Sequence, residues 1–158
     1  MRKTILVALL TSCVPLVASA QSLNWQRYNL GGGSASVDLP TGVFATDGGP
    51  SRQGAGHTFM TPDGRADVSL YSIPNQPPRS PARFLEEDFQ LPQSSAIYRR
   101  VTSNMLAVSG YRGDRIWYAR CNFGAQRLHC VALNYPAREK RQWDAIVTRI
   151  SNSLSRAS

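Results

Sequence analysis

What this sequence has little of narrows its chemistry before any motif is read. Beyond residue 20 the 158-residue chain holds two histidines, His57 and His129, two cysteines, Cys121 and Cys130, and one lysine, Lys140. It has no HExxH, no CxxC pair and no His/Asp/Glu set at ligand spacing, so a zinc centre is not expected. No GxSxG occurs, and a Ser–His–acid triad would have to use one of the two histidines. Gly54-Ala55-Gly56-His57 lacks the lysine and following helix of a phosphate loop. The close carboxylates are Asp63, Asp67 and the Glu86-Glu87-Asp88 trio, and helix-surface acids of that kind usually serve the dipole and solubility. No cofactor is expected. No apolar run after residue 17 approaches the ~18 residues that span a membrane.

The N-terminus is where apolar residues concentrate. Arg2 and Lys3 precede an apolar run from Ile5 to Val17, and Ala18-Ser19-Ala20 closes it in the small-x-small pattern of a signal-peptidase site. Residues 1–20 are therefore expected to be an export signal and 21–158 one domain, periplasmic or secreted. A rival processing site is Leu10-Thr11-Ser12-Cys13, which would anchor the chain by a lipid on Cys13. The residues after it stay apolar where a lipoprotein has a polar tether, which favours the soluble form. Two cysteines in an exported chain predict one structural disulfide, Cys121–Cys130.

Residues 21–158 carry 16 basic and 10 acidic residues, net +6, and 15 of the bases are arginine. The charge is uneven: residues 21–98 are net −2 and residues 99–158 net +8. A basic half attracts anionic polymers or lipid headgroups, or merely keeps the surface solvated. Export argues against nucleic acid as the partner, although basic residues interleave with aromatics in Tyr98-Arg99-Arg100 and from Arg115 to Arg120.

Period-two alternation dominates the middle of the chain. Ala35–Leu39 alternates and stops at Pro40. Thr58–Thr61 and Ala66–Ile73 form a hairpin around Pro62-Asp63-Gly64. Ser80-Pro81 opens a helix over Ser80–Gln90, serine as N-cap and proline first in the helix, with Phe84, Leu85 and Phe89 inward. Gly31–Ser34 and Asp47–Gly56 read as loops. Four strands follow: Ile97–Thr102, Met105–Arg112, Arg115–Phe123 and Leu128–Tyr135. With Gly113-Asp114 as a two-residue turn, Arg112 faces Arg115, and the Arg112-Gly113-Asp114 tripeptide needs no role in adhesion. With Ala125-Gln126 as the next turn, Cys121 falls opposite Cys130. Trp143, Ile146, Val147, Ile150 and Leu154 then make one apolar helical stripe.

That register sorts the meander into two faces. Leu106, Val108, Gly110, Trp117, Ala119, Cys121, Phe123, Leu128, Cys130 and Ala132 share one, the expected receiver of the C-terminal helix. Tyr111, Tyr118, Arg120, Asn122 and His129 share the other, with Ile116, Val131 and Leu133. Aromatic, guanidinium and amide groups suit a carbohydrate, an anionic polymer or a peptide. These five are the candidate ligand-binding residues, unless loops or the Ser80–Gln90 helix cover them.

Taken in order, two early strands with Asp38-Leu39-Pro40-Thr41-Gly42, the Pro62-Asp63-Gly64-Arg65 hairpin, one helix, a meander and a final amphipathic helix resemble the PsbP/Mog1-like α/β/α sandwich. The phrases Tyr98-Arg99-Arg100-Val101-Thr102, Ala107-Val108-Ser109-Gly110, Tyr118–Phe123, His129-Cys130 and Trp143–Ser151 resemble a family of uncharacterised exported alphaproteobacterial proteins over about residues 57–154. The resemblance implies an α+β fold and a binding or accessory role at the cell envelope, with an anionic envelope polymer or a protein as partner. It implies no catalytic residue. A hydrolase or transferase using His129 and a self-assembling exported protein are the alternatives.

Overall fold

The computed structural model describes residues 22–89 and 96–155. The expected export signal, its rival Cys13 and Gln90, the expected last residue of the first helix, lie outside the described residues. Nine strands and two α-helices run in the order β1 (Trp25–Leu30), β2 (Ala35–Pro40), β3 (Thr46–Pro50), β4 (Ala55–Met60), β5 (Asp67–Pro74), α1 (Pro81–Asp88), β6 (Ala96–Val101), β7 (Met105–Arg112), β8 (Arg115–Phe123), β9 (Arg127–Pro136) and α2 (Lys140–Ser153) among the described residues. β1 and β2 pair as a separate hairpin. The other seven strands make one sheet, ordered β3-β4-β5-β9-β8-β7-β6, and every pairing is antiparallel. The α+β class and the C-terminal helix on one sheet face are as expected.

The predicted register holds residue for residue. Arg112 faces Arg115, Val108 faces Ala119 and Gly110 faces Trp117. Gly113, at φ +61°, takes the first central position of that turn, where a side chain would be strained. The Gly124 amide donates to the Arg127 carbonyl at 2.8 Å across Ala125-Gln126, which sets Cys121 opposite Cys130, and the two are disulfide-bonded. Ser80 caps α1 by accepting from the Arg83 amide, with Pro81 first in the helix.

The assignment of helices to faces is the reverse of the expectation. The disulfide face is covered by α1: Phe84 and Leu85 pack with Leu106, Val108, Trp117, Cys121, Leu128 and Cys130. α2 lies on the opposite face. Its Trp143, Val147, Ile150 and Leu154 join Ile116, Val131, Leu133, Val68 and Leu70, together with Leu30, Val37 and Leu39 of the β1–β2 hairpin. Trp143 stacks on Tyr135 at 5.5 Å between ring centroids and meets Phe44 at 5.7 Å. The physical reason is that β5, β8 and β9 are buried along most of both faces, as central strands of a doubly covered sheet are. An eight-residue helix fits the smaller face beside the disulfide. The fourteen-residue helix and a hairpin are needed for the larger.

Two strands also arise where loops or nothing definite was expected. β3 crosses the start of the Asp47–Gly56 stretch, and β1 is largely polar and solvent-facing. Neither has an alternating apolar pattern, and each is held by its partner strand rather than by its own propensity. β2 in turn docks on the end of α2: the Ser36 amide donates to Ser155 Oγ, the Asp38 amide to Ser153 Oγ, and the Ser155 amide to the Ser36 carbonyl, each at 2.8 Å.

Candidate functional site

α2 covers much of the face that the sequence left for a ligand, and the five candidate residues meet different fates. Asn122 is buried; its amide nitrogen donates to the carbonyls of Leu154 and Ser155, both at 3.0 Å. It thereby fastens the end of α2 to the sheet. His129 is 1% exposed. Its Nδ1 lies 2.6 Å from Ser72 Oγ and its Nε2 3.4 Å from Ser34 Oγ. Burial, then the nearby Arg127 charge, pulls its pKa below the usual imidazole value, so the ring is neutral at neutral pH. The Tyr118 hydroxyl meets Ser151 Oγ at 2.5 Å, and burial raises its pKa. Tyr111 is 55% exposed. It sits four residues along β7 from Ala107, about 13 Å away at strand rise.

Arg120 is the candidate that reaches open space. Pairing places Arg100, Ala107, Arg120 and Val131 in one cross-strand row on the α2 face. Two strand spacings put Arg100 and Arg120 about 9.5 Å apart at Cα. Where α2 ends, a groove of about 620 Å³ opens beside this row, lined by both arginines, Met105, Asn122, Asn152 and the chain around Ser153 among others. No acidic side chain lines it. Arg120 reaches only neutral oxygens there: Asn122 Oδ1 at 3.4 Å, Ser151 Oγ at 3.3 Å and Asn152 Oδ1 at 3.4 Å. Neither Arg100 nor Arg120 forms an ion pair with a described residue, although Arg27, Arg65, Arg79, Arg83, Arg115, Arg138 and Arg149 all do.

The groove's electrostatics favour an anion. The end of α2 contributes at most about half a negative charge, against two guanidinium charges. Asn122 already occupies the carbonyls of Leu154 and Ser155. Arg100 was legible only as part of a basic phrase. Its alignment with Arg120 follows from the β6–β7 register, which the sequence pattern did not supply.

Elsewhere among the described residues, no group of three or more His, Cys, Asp or Glu side chains is placed to hold a metal ion. No helix among them is long and apolar enough to cross a membrane. No carboxylate is hydrogen-bonded to His129 among them; its ring bridges two serine hydroxyls.

With sheet and groove described, the comparison with solved structures gives the fold class. The solution structure of cyanobacterial PsbP (CyanoP) from Synechocystis sp. PCC 6803 is similar over 92% of this chain and 98% of that one, with a TM-score of 0.59 and 13% sequence identity. The chain therefore has a PsbP-like fold. No protein-family model matches it, and no curated protein does.

Proposed function

We propose that this protein is a non-catalytic, exported binding or accessory protein of the cell envelope, engaging an anionic ligand through the groove between Arg100 and Arg120. The observation that carries the reading is that pair of arginines, which share one row of the sheet, border a groove without acidic groups and lack an ionic partner among the described residues. An export-type N-terminus, one disulfide and the resemblance to exported alphaproteobacterial proteins support the location, periplasmic or secreted, with lipid anchoring through Cys13 as the variant. The PsbP-like fold agrees with an accessory role. Of the five residues first singled out, Arg120 is the proposed contact, Asn122 and Tyr118 support the end of α2, His129 is buried against Ser72 and Ser34, and Tyr111 lies apart.

Retention of the purified domain on immobilised sulfated dextran and on polyglutamate tests this reading. A charge-assisted guanidinium contact is worth about 1.5–3 kcal/mol, so Arg120→Ala and Arg100→Ala should each weaken binding about tenfold or more. Each variant should keep the wild-type thermal transition within a few degrees. Unchanged retention in both folded variants defeats the proposal.

A second reading, a hydrolase or transferase using His129, draws on one observation: neutral His129 bridges the buried Ser72 and the exposed Ser34. Ester turnover that disappears in His129→Ala while the protein stays folded would favour it over binding. Light scattering of the purified domain separates both from a self-assembling protein.

A further inference from the structure

The seven-stranded sheet has two outer edges, and they are built differently. β3 contains Asp47-Gly48-Gly49-Pro50, and its pairing with β4 shifts register between Asp47 and Pro50. The Asp47 carboxylate is engaged by the Gly49 amide at 2.6 Å and by His57 at 2.5 Å. Glycine, proline and a broken register are the devices that keep an edge from pairing. β6 is the contrary case. Its sequence, Ala96-Ile97-Tyr98-Arg99-Arg100-Val101, is rich in strand formers. After one irregularity between Ala96 and Tyr98, the run from Tyr98 to Val101 pairs regularly with β7. Among the described residues, no strand pairs with its outer side. Ile97 is 53% and Tyr98 46% exposed.

Its two arginines divide between the faces. Arg99 lies in the row of Val108 on the disulfide face, Arg100 in the row of Ala107 and Arg120 on the α2 face. Both are exposed, and neither has an ionic partner among the described residues. A chain laid along β6 would present alternate side chains to the two faces, one toward Arg99 and the next toward Arg100. Running on past Val101, it would meet the end of the groove lined by Thr102 and Asn104, whose lining also includes Arg120.

Resting on the anion-binding reading, we propose that the partner is an extended acidic polypeptide segment, which adds to β6 as an eighth strand. Its main chain pairs with the open edge, and its carboxylates meet Arg99, Arg100 and, in the groove, Arg120. Strand addition of this kind takes affinity from main-chain hydrogen bonds and specificity from alternate side chains. Charge complementarity selects the acidic segment over a second copy of this chain. Antiparallel self-pairing centred on Arg99 or on Arg100 sets guanidinium opposite guanidinium, which is unfavourable.

The test compares three probes on the purified domain: a capped eight-residue peptide of valine and glutamate, the same peptide with every backbone nitrogen methylated, and sulfated dextran. Fluorescence anisotropy or competition gives each affinity. The unmodified peptide should bind, N-methylation should weaken it at least tenfold, and Arg99→Ala and Arg100→Ala, both at exposed positions, should each weaken it severalfold. Equal affinity for the methylated peptide overturns strand addition, while sulfated dextran retained through Arg100 and Arg120 leaves the anion-binding reading standing. Failure of every probe defeats both. Concentration-dependent dimerisation of the peptide-free protein through β6 also overturns the proposal, since the edge would then be a self-interface.

Discussion

Replacing Ile150 by alanine tests where α2 docks. Ile150 is fully buried at the centre of the α2 stripe, among residues of β2, β5 and β9. The change deletes three carbon groups, about 2.4 kcal/mol of transfer free energy at ~0.8 kcal/mol each. Three such groups occupy about 80 Å³, and an unrelaxed cavity of that size costs about 2 kcal/mol more. Partial collapse of the site lowers the sum, so a loss of about 3–4 kcal/mol is expected. For a domain of about 135 residues this lowers the thermal midpoint by roughly 10–15 °C. Urea unfolding followed by tryptophan fluorescence measures it, because Trp143 lies on the same helix against Tyr135. Thr148→Ala, on the exposed side of α2, should change stability by less than about 0.5 kcal/mol. A loss below 1 kcal/mol for Ile150→Ala would mean that α2 does not seat its stripe on this face.

Three further outcomes follow from the same packing. Removing the disulfide with Cys121→Ser and Cys130→Ser together, which opens a loop of sequence separation 9, should cost about 2.7 kcal/mol by loop-closure entropy; equilibrium unfolding with and without reductant measures it. His129 has its pKa lowered in the folded state by burial, so the unfolded chain binds more protons as pH falls through the ordinary histidine value of about 6.5. Stability should therefore be full above that value and decline on acidification toward the folded pKa, with a slope of at most about 1.4 kcal/mol per pH unit, and His129→Gln should flatten the decline. Gly31→Ala should destabilise by at least about 1–2 kcal/mol: the residue has φ +55°, and a Cβ there would stand 2.7 Å from Ser34 Oγ and 3.0 Å from Ser72 Oγ.

The meander was legible because two short turns fixed its register and period-two alternation fixed its faces. Cys121 opposite Cys130 and Gly110 opposite Trp117 both follow from counting out of Gly113-Asp114 and Ala125-Gln126. What could not be read was which helix covers which face. Ile116, Val131 and Leu133 were visible beside Tyr118 and Asn122, but they looked like a minority on a polar surface. Their apolar companions are Val68 and Leu70, which join this face only through the β5–β9 pairing, between strands more than fifty residues apart in the chain. The same long-range pairing brings Ser72 to His129 and turns an apparent ligand contact into a buried bridge. Asn122 misled for a similar reason: an amide facing out of a strand looks available until a helix end arrives to use both its hydrogens.

The candidate site was half legible. Arg120 was placed on the correct face, whereas its partner Arg100 depended on the turn that the Thr102 amide closes on the Met105 carbonyl, which sets Val101 opposite Leu106 and Arg100 opposite Ala107 and which the alternation did not locate. Groove and open edge both lie at β6, the last strand of the sheet.

Amide chemical-shift mapping of the 15N-labelled domain, titrated with a sulfated dextran oligomer, tests the central claim most directly. The account predicts shifts clustered at residues lining the groove, Arg100, Thr102, Asn104, Arg120, Asn152 and Ser153, weakening with added salt, and no change near Phe84 or Trp25. Shifts centred on α1 and the disulfide face, or none at millimolar oligomer, would contradict it.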